Sequence, residues 1–183
     1  MRCAIVAAAA FASTTLAQQL DTCAACHGTD GVSAMAETPS LAGQPAFFVL
    51  AQLVLFREGR RDSAAMNAIA KPLTNDDLRA LAAALERLPP PPPSAATDPA
   101  KLARGRSLAE ANHCGGCHGA DYAGGQNVPR VAYQREDYLA KALADFKSGR
   151  RIGYGNAAMA EAVAQLAPAE LADIAYYLAH LPP

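Results

Sequence analysis

The pattern Cys-x-x-Cys-His occurs twice in this 183-residue chain, at Cys23–His27 and, 91 residues later, at Cys114–His118. On a helical turn, residues i, i+3 and i+4 share one face. Two thiols and an imidazole on one face can bind a haem through two thioethers and ligate its iron. The sequence therefore predicts two covalently attached haem c groups. The predicted attachment residues are Cys23, Cys26, Cys114 and Cys117, and the predicted first axial ligands are His27 and His118.

The Cys-x-x-Cys-His pattern has two other interpretations. A single Cys-x-x-Cys can be a redox disulfide, and two such pairs can form a structural zinc site. A zinc site does not need a histidine directly after both cysteine pairs, nor a domain's length of chain between them. The doubled pattern therefore favours haem attachment.

The first seventeen residues have the pattern of a secretory signal. Arg2 supplies a positive charge, Ala4–Ala12 is a short apolar run, and Thr15–Ala17 resembles a small-residue cleavage site. The alternative, a membrane anchor, would need about 20 apolar residues. We therefore expect residues 1–17 to be a signal peptide, the mature protein to be periplasmic, and no transmembrane segment to remain after cleavage.

The mature chain is an internal repeat around a proline-rich linker, residues 89–97. Pro39–Gln44 and Phe56–Arg61 recur 90 residues later, whereas Leu78–Pro90 recurs 93 residues later, which places a three-residue insertion near residues 152–154. The repeat predicts two similar domains, residues 18–88 and 98–183.

Composition favours helices, because alanine is abundant, tryptophan is absent and runs of β-branched residues are few. Capping and proline signals predict helices at 46–57, 100–112 and 136–147, after Thr74 and from Pro168. The predicted fold is all-α. The net charge is −1 and neither half has a basic excess, so nucleic acid is not an expected partner.

The repeat also selects the second axial ligands. Apart from Met1, the chain has three methionines; Met35 aligns with Gln126, whereas Met66 aligns with Met159. We predict Met66 and Met159 as the second ligands, each in a loop before the last helix of its domain; the alternative is that they fill the core. Methionine ligation raises the reduction potential and leaves no open position on the iron, so it favours electron transfer over catalysis.

Together these residues make the chain resemble the di-haem class I cytochromes c, most closely the cytochrome c4 family. The resemblance is carried by Cys23–Gly28, Leu41–Gln44, the Phe-x-x-Gly-x-Arg segments ending at Arg61 and Arg151, and both methionines. It implies two tandem class I cytochrome c domains with neighbouring haems. It also implies an electron carrier, not an enzyme, between a cytochrome bc complex or dehydrogenase and a membrane terminal oxidase.

One departure from that family concerns domain one, which after cleavage has only Gln18–Thr22 before its motif. We expect the usual first helix to be missing and the face of Leu78, Leu81 and Leu85 to be covered by domain two or another subunit. Pairing of Arg60–Arg61 and Arg150–Arg151 with haem carboxylates is one possibility, and a solvated charged turn is the other.

Two further functions stay open from the sequence. The chain fits a cytochrome subunit of a periplasmic dehydrogenase that oxidises sulfide, alcohol or thiosulfate. An enzyme or gas sensor with one open haem, such as a di-haem peroxidase, would need a vacant axial position.

Overall fold

The computed structural model describes residues 14–151 and 156–182, and within those ranges every regular element is a helix. The predicted three-residue insertion lies outside these ranges, as do the first thirteen residues of the predicted signal. Domain one contains α1 (Leu16–His27), α2 (Ala46–Arg57), α3 (Ala64–Ala70) and α4 (Asn75–Glu86). Domain two contains α5 (Pro99–Ala111), α6 (Cys114–His118), α7 (Glu136–Lys147), α8 (Asn156–Val163) and α9 (Pro168–Ala179). The all-α prediction is confirmed.

Domain two is built on the crossing of α5 and α9. Gly105 lies at the crossing, where an added Cβ would overlap the carbonyl oxygen of Asp173 and approach Cβ of Tyr177 to 2.7 Å. Only glycine lets the two backbones approach this closely. The buried residues of α7 and α9 then form one continuous core with Tyr122 and Leu166.

Domain one has a shorter version of the same arrangement. Its first helix is present: Thr15 caps α1 in a reciprocal capping box with Gln18, and the helix runs without a break into the first motif. Gln19 donates to Asp77 at 2.7 Å, and Leu20 packs on the core of the domain. The expectation of a missing helix is therefore correct only in part: residues 18–22 are helical, but the segment before the motif is much shorter than α5.

The apolar face of α4 needs no cover from outside its own domain. Leu78, Leu81 and Leu85 are at most 5% exposed, and α1 and α2 pack against their helix. The expectation that domain two or another subunit covers this face is wrong. The amphipathic spacing on α4 located the face correctly, and α1, although short, together with α2 is enough to cover it.

The linker, residues 89–97, contacts both domains and does more than separate them. Pro90 contacts Gly43, whose φ of 66° and lack of a side chain leave room for the proline. At the other end, the hydroxyl of Tyr176 accepts hydrogen bonds from the backbone N–H groups of Thr97 and Asp98, each at 2.7 Å.

Two glutamines at equivalent positions of the repeat join the domains reciprocally. The side-chain amide of Gln44 donates to the carbonyl of Arg130 and accepts from its N–H, at 2.9 and 3.1 Å. The amide of Gln134 makes the same pair with the backbone of Ser40, at 2.8 and 2.7 Å. Gln44 and Gln134 are both buried. The two domains therefore face each other through the same segment, related by an approximate two-fold axis.

We expect Gln134→Ala to destabilise the protein by about 1–3 kcal/mol for each backbone group of Ser40 that it leaves unpaired, because Ser40 is only 2% exposed. Denaturant unfolding of the holoprotein measures this change. Gln165→Ala is the matched control, since Gln165 is exposed. Equal unfolding free energies for the two variants would contradict a stabilising role of the paired glutamines.

Candidate haem sites

The first Cys-x-x-Cys-His motif forms the last turn and a half of α1. The helix ends at Gly28, whose φ is 85°, and an added Cβ there would overlap the carbonyl oxygen of Val32. Glycine is needed at this position because the chain reverses tightly behind the histidine. This turn fixes the position of His27 at the end of the helix.

The second motif has the same local shape with one difference. It forms the short helix α6, which is separated from α5 by Asn112 and His113, and His113 is in the left-handed conformation with φ at 54°. Gly119 ends α6 with a φ of 86°, matching Gly28. The repeated pattern therefore folds into two equivalent turns.

Both motif histidines are buried and held by the same contact. Nδ1 of His27 lies 2.8 Å from the carbonyl oxygen of Pro39, and Nδ1 of His118 lies 3.0 Å from that of Pro129. Burial lowers the pKa of both imidazoles, and the carbonyl contacts oppose this only in part. A neutral imidazole whose Nδ1–H donates to a carbonyl presents Nε2 as its ligand atom.

The four cysteines within the described residues form no disulfide with one another. Cys26 and Cys117 are exposed, whereas Cys23 and Cys114 are half-buried, and burial raises the pKa of the latter two. Within residues 14–151 and 156–182, no three His, Cys, Asp or Glu side chains gather closely enough to hold a metal ion. The two motifs therefore do not combine into a zinc site.

The repeat-matched methionines lie on short helices and not in loops, which corrects the sequence prediction. Met66 is on α3 and Met159 is on α8, and both side chains are half-buried. Met159 packs on the core of domain two, as does Cys114. Met35, by contrast, is 48% exposed. Of the three methionines, the two equivalent ones thus lie partly inside their domains.

Asn67 fixes the helix that carries Met66, a role the sequence did not reveal. Its amide donates to the carbonyls of Phe56 and Arg61 at 2.6 and 2.9 Å, and its Oδ1 accepts from the N–H of Ser63 at 2.8 Å. These bonds tie α3 to the end of α2. The equivalent position in domain two is Ala160, so this fastening is specific to domain one.

Asn67→Ala should loosen Met66 without unfolding domain one, since the hydrophobic core is untouched. We expect a carbon monoxide complex at a fraction of one haem in the reduced variant, up to half of the total haem signal, and none in the parent protein. Absorbance spectra before and after the gas measure this fraction. Asn127→Ala, at an exposed residue of domain two, is the control; a similar response in both variants would remove Asn67 from this role.

Two arginines have a buried Nε atom that could donate a hydrogen bond to a carboxylate of a bound haem. Nε of Arg130 and Nε of Arg151 are buried and find no hydrogen-bond acceptor among the described residues. Arg151 is 9% exposed, so an unpaired donor there is costly. Arg60 and Arg150 point to solvent, and Arg150 pairs with Asp145. Of the pair Arg150–Arg151, Arg151 is therefore the residue whose buried donor still needs an acceptor, and a haem carboxylate would supply one.

Comparison with known proteins also identifies two cytochrome c domains in this chain. The family described as "Cytochrome c" matches residues 102–182, and that described as "Cytochrome C oxidase, cbb3-type, subunit III" matches residues 9–83. Cytochrome c4 of Thiocapsa roseopersicina is 34% identical over 85% of both chains. The "Thiosulfate dehydrogenase electron acceptor" of Thiomonas intermedia is 31% identical, over 87% of this chain and 78% of that protein.

The overall structure of the chain also matches that of a cytochrome c4. The reduced recombinant cytochrome c4 of Pseudomonas stutzeri superposes with a TM-score of 0.82 and 27% identity, over 93% of this chain and all of that one. Two cytochrome c domains with two haem-attachment motifs define a di-haem c-type cytochrome that transfers electrons. The chain belongs to the cytochrome c4 family, and it carries two covalently bound haem c groups.

No helix in the described ranges has the length and apolar character required to cross a membrane.

Proposed function

We propose that this chain is a periplasmic carrier that accepts single electrons from a respiratory donor and delivers them to a membrane terminal oxidase. His27 and Met66 are the axial ligands in domain one, and His118 and Met159 are those in domain two. The observation that carries the proposal is that each domain contains both a buried histidine bonded to a backbone carbonyl and a half-buried methionine at an equivalent position of the repeat.

The bound haem supplies reversible one-electron chemistry at its iron. The protein's own residues decide which chemistry is accessible. The carbonyls of Pro39 and Pro129 orient the imidazoles, and the thioethers of Met66 and Met159 would leave the iron no open position for a substrate. Sites closed on both sides favour electron transfer without binding or bond breaking.

Location in the periplasm rests on residues 1–17 as a cleaved signal. Thr15 and Leu16–Ala17 form the cap and first residues of α1, so cleavage after Ala17 shortens this helix and removes its capping box. The core contact of Leu20 and the bond from Gln19 to Asp77 remain. The intact mass of protein from the periplasm should equal the chain from Gln18 plus two haems.

A second candidate is the role of electron acceptor for a periplasmic dehydrogenase, with thiosulfate oxidation as the leading case. It is favoured by the relative named as a thiosulfate dehydrogenase electron acceptor, which matches across both domains. In this role the same sites operate, and only the donor differs.

Stopped-flow absorbance distinguishes the two. Reduced holoprotein is mixed with membranes that contain terminal oxidases, and oxidised holoprotein is mixed with thiosulfate dehydrogenase and thiosulfate. Rapid oxidation in the first mixture supports the carrier, and rapid reduction in the second assigns the donor. A holoprotein that exchanges electrons in neither mixture and binds carbon monoxide when reduced would overturn the carrier proposal.

A further inference from the structure

An arginine–tyrosine–arginine cluster spans the boundary between the domains. Nη2 of Arg61, from domain one, donates to the hydroxyl of Tyr138 at 3.1 Å, and Nη1 of Arg151, from domain two, donates to the same oxygen at 3.5 Å. Each guanidinium lies 4.5 Å from the ring centre of a phenylalanine of its own domain, Phe56 or Phe146. The arginines and the phenylalanines occupy equivalent positions of the repeat.

The tyrosine breaks this symmetry. The position equivalent to Tyr138 is Phe48, which has no hydroxyl. One side chain of domain two thus bonds the equivalent arginines of both domains, and domain one has no counterpart. The cluster is therefore a single shared site and not two copies of one.

The charges in this cluster are not balanced by a bonded carboxylate. Neither guanidinium donates to an Asp or Glu of the described chain: Arg61 bonds Gln52 and Tyr138, and Arg151 bonds Tyr138 alone. The acid that acts on the charge of Arg151 is Asp145, which already pairs with Lys141 and Arg150. Two neighbouring positive charges, one of them buried, are stable only with an anion close by.

The hydrogen-bond inventory also indicates that an acceptor belongs here. A tyrosine hydroxyl has one donor and two acceptor sites. In Tyr138 both acceptor sites receive N–H groups, so its own O–H needs an acceptor, and none is found among the described residues. Nε of Arg151 likewise finds no acceptor among them. Burial alone would raise the pKa of Tyr138, but the charges of Arg151 and Arg61 lower it to about 8, which makes its O–H a strong donor.

We propose that the hydroxyl of Tyr138 donates to a haem carboxylate held by Arg61 and Arg151, and that this positioning residue couples the reduction potentials of the two haems. The inference rests on the proposed function, in which one chain passes electrons through two haems. A donor on a haem carboxylate offsets its negative charge and stabilises the reduced iron. Since the hydroxyl touches the arginine of each domain, its loss changes the balance between the two sites.

Spectroelectrochemical titration of the holoprotein tests this with Tyr138→Phe. We expect the equilibrium constant for moving one electron between the two haems to shift by about fivefold, the equivalent of one ordinary hydrogen bond. Both irons should stay closed to carbon monoxide. Tyr133→Phe removes the same atom from the same domain, where the structure shows no side-chain hydrogen bond to it, and should leave the equilibrium constant unchanged.

Two further measurements separate this role from a structural one. In a double-mutant cycle with Arg61→Gln, the two changes in potential should be non-additive, because both act on one carboxylate. Replacing chloride by sulfate at constant ionic strength should not move the parent's potentials; a shift would place a free oxyanion in the cluster and overturn the proposal. Unchanged potentials in Tyr138→Phe would also overturn the role of Tyr138. They would not affect the proposed function, which is tested by electron transfer between the parent protein and its partners.

Discussion

Replacement of Met159 by alanine is expected to open one of the two haem irons and to lower its reduction potential by roughly one to several tenths of a volt. The thioether is the ligand that favours reduced iron, and alanine cannot replace it. Met66→Ala should do the same at the other haem, because the two methionines are equivalent in the repeat and both half-buried. In each variant, about half of the reduced haem signal should respond to carbon monoxide.

Met35→Ala provides the matched control for both substitutions. Met35 is 48% exposed and aligns with Gln126, so its removal should leave both potentials and the carbon monoxide spectrum unchanged. The assignment of Met66 fails if Met35→Ala opens the first haem and Met66→Ala does not. Combining Met66→Ala with Met159→Ala should make the whole haem signal responsive, since the sites lie in separate domains.

Features carried by repetition were the ones that the sequence predicted well. The spacing of Leu78, Leu81 and Leu85 located the buried face of α4, and the predicted helices at 46–57 and 136–147 match α2 and α7. Each such prediction used two copies of a pattern. A chance match in one copy would have had no counterpart in the other, so agreement between the copies strengthened the prediction. The haem motifs and the family assignment rest on the same doubling.

Short helices and contacts across the domain boundary were not predictable in this way. The helix of Met66 has only seven residues, and its one local sign is Ser63 at the cap. Its position depends on three hydrogen bonds of Asn67, two of them to residues of a preceding segment. Side-chain bonds of this kind are determined by tertiary packing, and no periodicity of the sequence records them.

The boundary between the domains shows the same limit. Gln44 and Gln134 are visible as equivalent residues in the sequence, but their bonding to the backbone of the opposite domain depends on how the domains face each other. The single hydroxyl of Tyr138 is harder still to foresee, because Phe48 in the other copy gives no hint of it. Asymmetric positions within a repeat therefore require the structure.

Gly105→Val is expected to have the largest effect on stability. The added carbons would overlap the carbonyl oxygen of Asp173 and the side chain of Tyr177, so α5 and α9 would have to separate. Overpacking a dense contact costs about 3 kcal/mol or more when backbone must move. For a domain of this size that loss lowers the unfolding temperature by roughly 10–20 °C, which thermal unfolding of the holoprotein would measure, and Gly105→Ala should give a smaller decrease in the same direction.

Gly125→Ala separates this effect from the general consequence of replacing a glycine in domain two. An added Cβ on Gly125 meets no atom within 4 Å, and its φ is not positive, so the substitution should be nearly neutral. Domain one has its own, shorter crossing of α1 and α4, which the Gly105 substitutions do not touch. Domain one should therefore keep its own unfolding transition in the Gly105 variants. An unchanged unfolding temperature in Gly105→Val would mean that the α5–α9 crossing is not the contact on which domain two depends.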